Sequence, residues 1–159
     1  MRVLSDDRRG LGRVVALFLS GLLVLALSGI RADANAEERF GRRRHMLALT
    51  NDDRELRERA ELRFAARLSR YARRHSEAMA RRGFIFHSSE DQVRAALEGY
   101  GWSLAGENVG VGSSLEGLER AFMGSRLHRQ NILRSTFGHA AVGIVRDDGH
   151  YWVTVIFYG

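Results

Sequence analysis

His87, Glu107 and His128 are the side chains here whose types best suit binding or reactive chemistry. Gathered in one place, two imidazoles and a carboxylate make a nitrogen, oxygen, nitrogen set. Such a set can hold a divalent ion such as zinc and leave one position open for water or ligand. Without metal, a carboxylate between two imidazoles favours their protonated forms and gives a pH-sensitive pocket. Ser125 stands three residues before His128. If both lie on one helix they share a face, and the imidazole can then activate the hydroxyl as a nucleophile. The same residue types also have plainer uses. Glu107 can tie an irregular loop to backbone N–H groups, and Asn108 can cap or turn the chain. Arg129 and Asn131 read as structural hydrogen-bonders, and His75 as a helix-packing histidine.

Helices and strands must position these groups. Residues 45–57 form an expected first helix, with Met46, Leu49, Asp53 and Leu56 spaced three or four apart. A longer helix is expected to follow to about Arg82, with Phe64, Leu68, Tyr71, Ala72 and Met79 on its apolar side and Gly83 as the stop. Residues 84–114 read as irregular apart from a helical piece near 91–97, a Gly- and Ser-rich stretch of the kind that carries functional groups. An amphipathic helix is expected over 115–123, capped by Ser113 with Glu116 completing a capping box. Residues 140–146 and 151–158 are rich in Val, Ile and aromatics, and Asp147-Asp148-Gly149-His150 supplies a hairpin turn. Helices first and a hairpin last make an α+β domain with a small antiparallel sheet.

The chain has 159 residues, enough for one ordinary domain, and 45% of them are hydrophobic. There is no Cys, so no disulfide forms and no thiolate can attack or bind metal. A formal charge of +6 invites a nucleic-acid reading. The arginines, however, alternate with acids, as in Asp52-Asp53-Arg54-Glu55-Leu56-Arg57-Glu58-Arg59, a pattern of solvated helix faces rather than of a phosphate-binding stripe. Nucleic acid is therefore not an expected partner.

The first 36 residues have their own logic. Arg8, Arg9 and Arg13 precede an uncharged run over 14–30, and small residues lead to a cleavage position after Ala36. Basic start, apolar middle and small-residue exit make a secretory signal peptide. The alternative, an uncleaved anchor, is weakened by a run shorter than the ~20 apolar residues a span needs. Residues 37–44 follow as a polar, Arg-rich lead-in, and residues 45–159 form the expected domain, outside the cytoplasm.

Four segments, His87-Ser88, Gly106-Glu107-Asn108, the run 125–133 and the terminal hairpin, come in an order and spacing that resembles the CAP superfamily, or SCP domain. The stretch 49–54, His75-Ser76 and Met79 fit too, so the likeness covers about residues 46–157. That superfamily includes cysteine-rich secretory proteins, antigen 5 and plant pathogenesis-related proteins. The resemblance implies an α-β-α sandwich with a cleft lined by two histidines and, in many members, two acids. His87 then matches the first histidine, Glu107 the first acid and His128 the second histidine. The second acid falls at Ser125, as in the Ser-x-x-His-Arg-x-Asn pattern common in bacterial-type members, which puts a four-residue metal site in doubt.

Three functions are compatible with this likeness. One is an extracytoplasmic binding module for a lipid or other small ligand, with Tyr100, Trp102 and Val109 lining an apolar groove beside the cleft. A second is a hydrolase using metal-bound water or Ser125 activated by His128, although no nucleophile elbow is present. A third is a cell-envelope interaction domain, in which Arg42, Arg43 and Arg44 meet an anionic surface.

Overall fold

The computed structural model describes residues 34–159, so the basic start and apolar run of the expected signal peptide lie outside the described residues. The chain divides into a unit that ends at Arg39 and a second unit, Phe40–Gly159. Residues 34–55 are helical (α1), so the stretch read as a polar lead-in is helix. In the second unit there follow β1 (Arg63–Phe64), α2 (Ser69–Arg82), α3 (Glu90–Ala96), β2 (Ala105–Gly112), α4 (Leu115–Gly124), α5 (Arg126–Leu133), β3 (His139–Asp147) and β4 (His150–Tyr158). No described helix is long and apolar enough to cross a membrane.

The sheet runs β1-β3-β4-β2. The β3–β4 hairpin forms because Asp148 and Gly149 adopt φ values of 44° and 74°, the two left-handed residues of a tight hairpin turn. That turn sets the register from Asp147 opposite His150 to His139 opposite Tyr158. β2 adds antiparallel to β4, from Ala105 opposite Tyr158 to Gly112 opposite Tyr151. β1 adds parallel to β3 through Arg63 opposite His139 and Phe64 opposite Ala140.

Strand alternation then sends side chains to two cores. Val153, Val155 and Phe157 of β4, with Ala140, Val142 and Ile144 of β3, face Met46 and Leu47 of α1, Leu118 and Phe122 of α4 and Ile132 of α5. Ala141 and Ile156 face Ala72 of α2 and, with Leu97, the α3 side, while Trp152 meets Met79 and Val109. The result is an α-β-α sandwich. α2 lies so close to the sheet that a Cβ on Gly143 would stand 2.1 Å from the Ala72 backbone carbon. Ser76 bridges this contact, donating to the Gly143 carbonyl at 3.1 Å and sharing a 2.9 Å hydrogen bond with Thr154.

Several sequence expectations are corrected. The longer helix begins at Ser69, because the chain first lays Arg63 and Phe64 beside β3, and Phe64 packs on the opposite core from Leu68 and Ala72. Leu56 falls in the turn after α1 and is 79% exposed. The cap of α4 is Ser114, whose hydroxyl accepts from the Gly117 N–H, and not Ser113. Gly106 to Gly112 is a strand, not a loop. Its glycines answer to close packing, since a Cβ on Gly110 would meet Phe122 at 2.9 Å. Arg54, placed on a solvated face by its alternating neighbours, is fully buried. Its guanidinium donates to the carbonyls of Ala60 (2.7 Å), Ile132 (2.6 Å), Arg134 (3.1 Å) and Phe137 (3.3 Å).

Candidate functional site

β2 lies at one edge of the sheet, and its alternation sends neighbouring residues to opposite layers. Glu107 points toward the α2–α3 side, where the segment after α2 passes. That segment is fixed at one end by Gly83, whose φ of 72° closes α2. At the other end a capping box fixes it: the Ser89 hydroxyl accepts from the Gln92 N–H, and the Gln92 carbonyl oxygen accepts from the Ser89 N–H. Between these points His87 and Ser88 are turned onto Glu107. The Ser88 N–H donates to Glu107 Oε1 at 2.9 Å and its hydroxyl to Oε2 at 2.7 Å. His87 Nδ1 stands 2.9 Å from Oε1. The Glu107 side chain is only 7% exposed while that of His87 is 59% exposed, so a buried carboxylate holds an accessible imidazole.

The other layer holds His128. Asn108 is completely buried, and its Nδ2 donates to the His128 carbonyl at 3.1 Å. Asn131 in turn donates to Asn108 Oδ1 at 2.9 Å and to the Glu107 carbonyl at 3.3 Å. A Cβ on Gly106 would come within 2.7 Å of Asn131 Oδ1, so glycine there lets α5 sit against β2. The His128 ring lies edge-on to Phe122 with centroids 5.0 Å apart. Burial first, and then the charge of His87, hold the His128 imidazole below its ordinary value.

Ser125 sits at the junction of α4 and α5 in extended conformation (φ −87°, ψ 126°) and makes no side-chain capping bond. It precedes the helix that carries His128, and among the described residues no hydrogen bond joins the two side chains. Nor do His87, Glu107 and His128 form a set of metal ligands. Both Glu107 oxygens are occupied by Ser88 and His87, and no group of three or more His, Cys, Asp or Glu among the described residues is placed to hold an ion. The residues do not fit a three-ligand metal, because the carboxylate orients an imidazole instead of facing an open position.

Ser88 and Glu107 also border a cavity of about 340 Å³ lined further by Val93, Arg94, Trp102 and Leu104. The Arg94 guanidinium lies 5.7 Å from the Trp102 ring centroid. Of the three residues expected along an apolar groove, Trp102 lines this cavity. Tyr100 borders another, and Val109 is buried against Met79 and Trp152. His75 packs as expected, its Nε2 2.8 Å from the Phe86 carbonyl. Arg129 donates to the Met123 carbonyl at 2.9 Å. Arg43 lies over the rings of Phe40 and Phe64, and Arg44 over Phe40. Sequence reasoning missed Ser88 as the residue that anchors Glu107, although its place beside His87 was the available signal.

The CAP family, described as the cysteine-rich secretory protein family, matches residues 47–157. This chain belongs to the CAP family. The Bacillus subtilis protein YkwD is 32% identical over 114 residues, which make 67% of this chain and 43% of YkwD. An extracellular protein containing an SCP domain from Bacillus anthracis superposes with a TM-score of 0.62 at 25% identity, covering 76% of this chain and 41% of that one. A cysteine-rich secretory protein from Staphylococcus aureus gives a TM-score of 0.63 at 23% identity, over 77% of this chain and 39% of that one, a likeness of fold. This CAP chain therefore spans less than half the length of each of these three proteins.

Proposed function

We propose that this CAP domain works outside the cytoplasm as a binding module for a lipid or other small amphipathic ligand, seated at the β2 edge. The observation that carries the reading is the Ser88–Glu107–His87 arrangement at the border of the 340 Å³ cavity. A buried carboxylate accepting three hydrogen bonds is a rigid mount, and it leaves the far nitrogen of His87 available to a polar head group. Trp102, Leu104 and Val93 offer an apolar surface to the rest of the ligand, in a cavity within the ~300–1,000 Å³ range of small-molecule sites. Export is supported by the leader pattern of the first 36 residues and by the extracellular description of the Bacillus anthracis relative.

Native mass spectrometry of the full chain with monoolein, an uncharged lipid, tests this reading. Retained monoolein, lost in Trp102→Ala and weakened in Glu107→Gln, is the expected result. No retention by the folded wild type, or equal retention by both variants, contradicts it.

A further inference from the structure

A second cavity, of about 430 Å³, opens along α2, and its lining is unlike the first. Arg67, Arg70 and Arg74 follow one another at helical spacing from the turn before α2 into its second turn, and all three border this cavity with Tyr71 and Tyr100. Glu98 is its one acidic lining residue. Arg57 and Arg73, by contrast, are paired with acids four residues away, Asp53 and Glu77, each at 2.9 Å. None of the three cavity arginines forms an ion pair or side-chain hydrogen bond with a described residue.

Three unpaired guanidinium forks along one cavity exceed what a carboxylate requires, since its two oxygens are satisfied by a single bidentate arginine. A tetrahedral dianion with three or four acceptor oxygens uses all of them. Tyr71 forms part of the wall, and its hydroxyl is engaged by Ser88. The row from Arg67 to Arg74 spans about 10 Å along the helix, room for one phosphate-bearing group and not for a tracked nucleic-acid strand.

We propose that this groove binds a phosphate ester, with Arg67, Arg70 and Arg74 gripping its oxygens against a wall that includes Tyr71 and Tyr100. The ester can belong to a soluble metabolite or to a phospholipid head group, and the chemistry is shared. Titration calorimetry of the full chain with glycerol 1-phosphate addresses the first source. Flotation with phosphatidylglycerol–phosphatidylcholine vesicles addresses the second. Binding to at least one is expected, weakened about tenfold by each of Arg67→Gln, Arg70→Gln and Arg74→Gln, abolished in the triple variant, and reduced by raising salt. Arg126→Gln, an equal change of charge on α5, should leave it within twofold. Absence of binding to both probes at low salt overturns the proposal. So does binding that survives in a triple variant of unchanged melting temperature, or tighter binding of a thymidine oligonucleotide than of either probe.

Discussion

Burial pushes the Glu119 carboxyl up to about 7, with the Thr50 hydroxyl opposing the shift and the Asp53 charge adding to it. Oε2 accepts from Thr50 at 3.1 Å, while Oε1 is buried with no partner among the described residues. A carboxyl whose folded value is raised contributes stability that is complete below its unfolded value near ~4.3 and is lost as pH climbs through about 7. Glu119→Met removes that loss, and Thr50 keeps its 3.2 Å bond to the Met46 carbonyl. The variant should therefore melt higher than the wild type at pH 8, by on the order of 2 kcal/mol, and about equally at pH 4.5, as read by calorimetry at both values. Arg54 presents the opposite case, a buried cation satisfied by four carbonyls, one at Ala60 and three along residues 132–137. Arg54→Met strands those acceptors and should cost about 3 kcal/mol or more by urea unfolding. Neither role could be read from the chain. Arg54 sits in a run of alternating charges that signals a wet helix face, and only the packing of α1 over the end of α5 reverses its environment.

At the scale of elements, the close seating of α2 on β3 is the most demanding contact. Gly143→Ala would press a methyl into the Ala72–Arg73 backbone, which cannot yield as a side chain can. Its expected cost is more than about 3 kcal/mol, visible as loss of soluble folded protein or a sharply lowered urea midpoint. The hairpin was legible in the sequence because β-branched runs flanked an Asp-Gly turn. The helix endings at Gly83 and the piece at α3 were legible for similarly local reasons. β2 was not, since Gly106, Gly110 and Gly112 mimic a loop and only the helices lying on them explain the small side chains. β1 spans two residues, too few to show any period, and so the second helix was extended through it.

For the molecule as a whole, likeness of motif order carried further than local pattern. His87, Glu107 and His128 lie 41 positions apart from first to last, and no periodicity joins them. β2, at an edge of the sheet, is what relates them: Glu107 holds His87 on one face and Asn108 holds the His128 backbone on the other. The sequence did suggest an oxygen–nitrogen grouping, yet the division of labour, with Glu107 as a mount instead of a ligand, depends on Ser88 and the α3 capping box. The two cavities flanking this region differ in kind, one with Trp102 and Leu104, the other with three arginines. In the proposed function a ligand seats at the β2 edge beside the mounted imidazole. Two-dimensional NMR of the labelled full chain during titration with monoolein tests it most directly. The account predicts saturable shifts at the Trp102 indole and the imidazoles of His87 and His128, with Arg67, Arg70 and Arg74 undisturbed. Shifts confined to the arginine-lined groove, or none at Trp102 and His87, would contradict it.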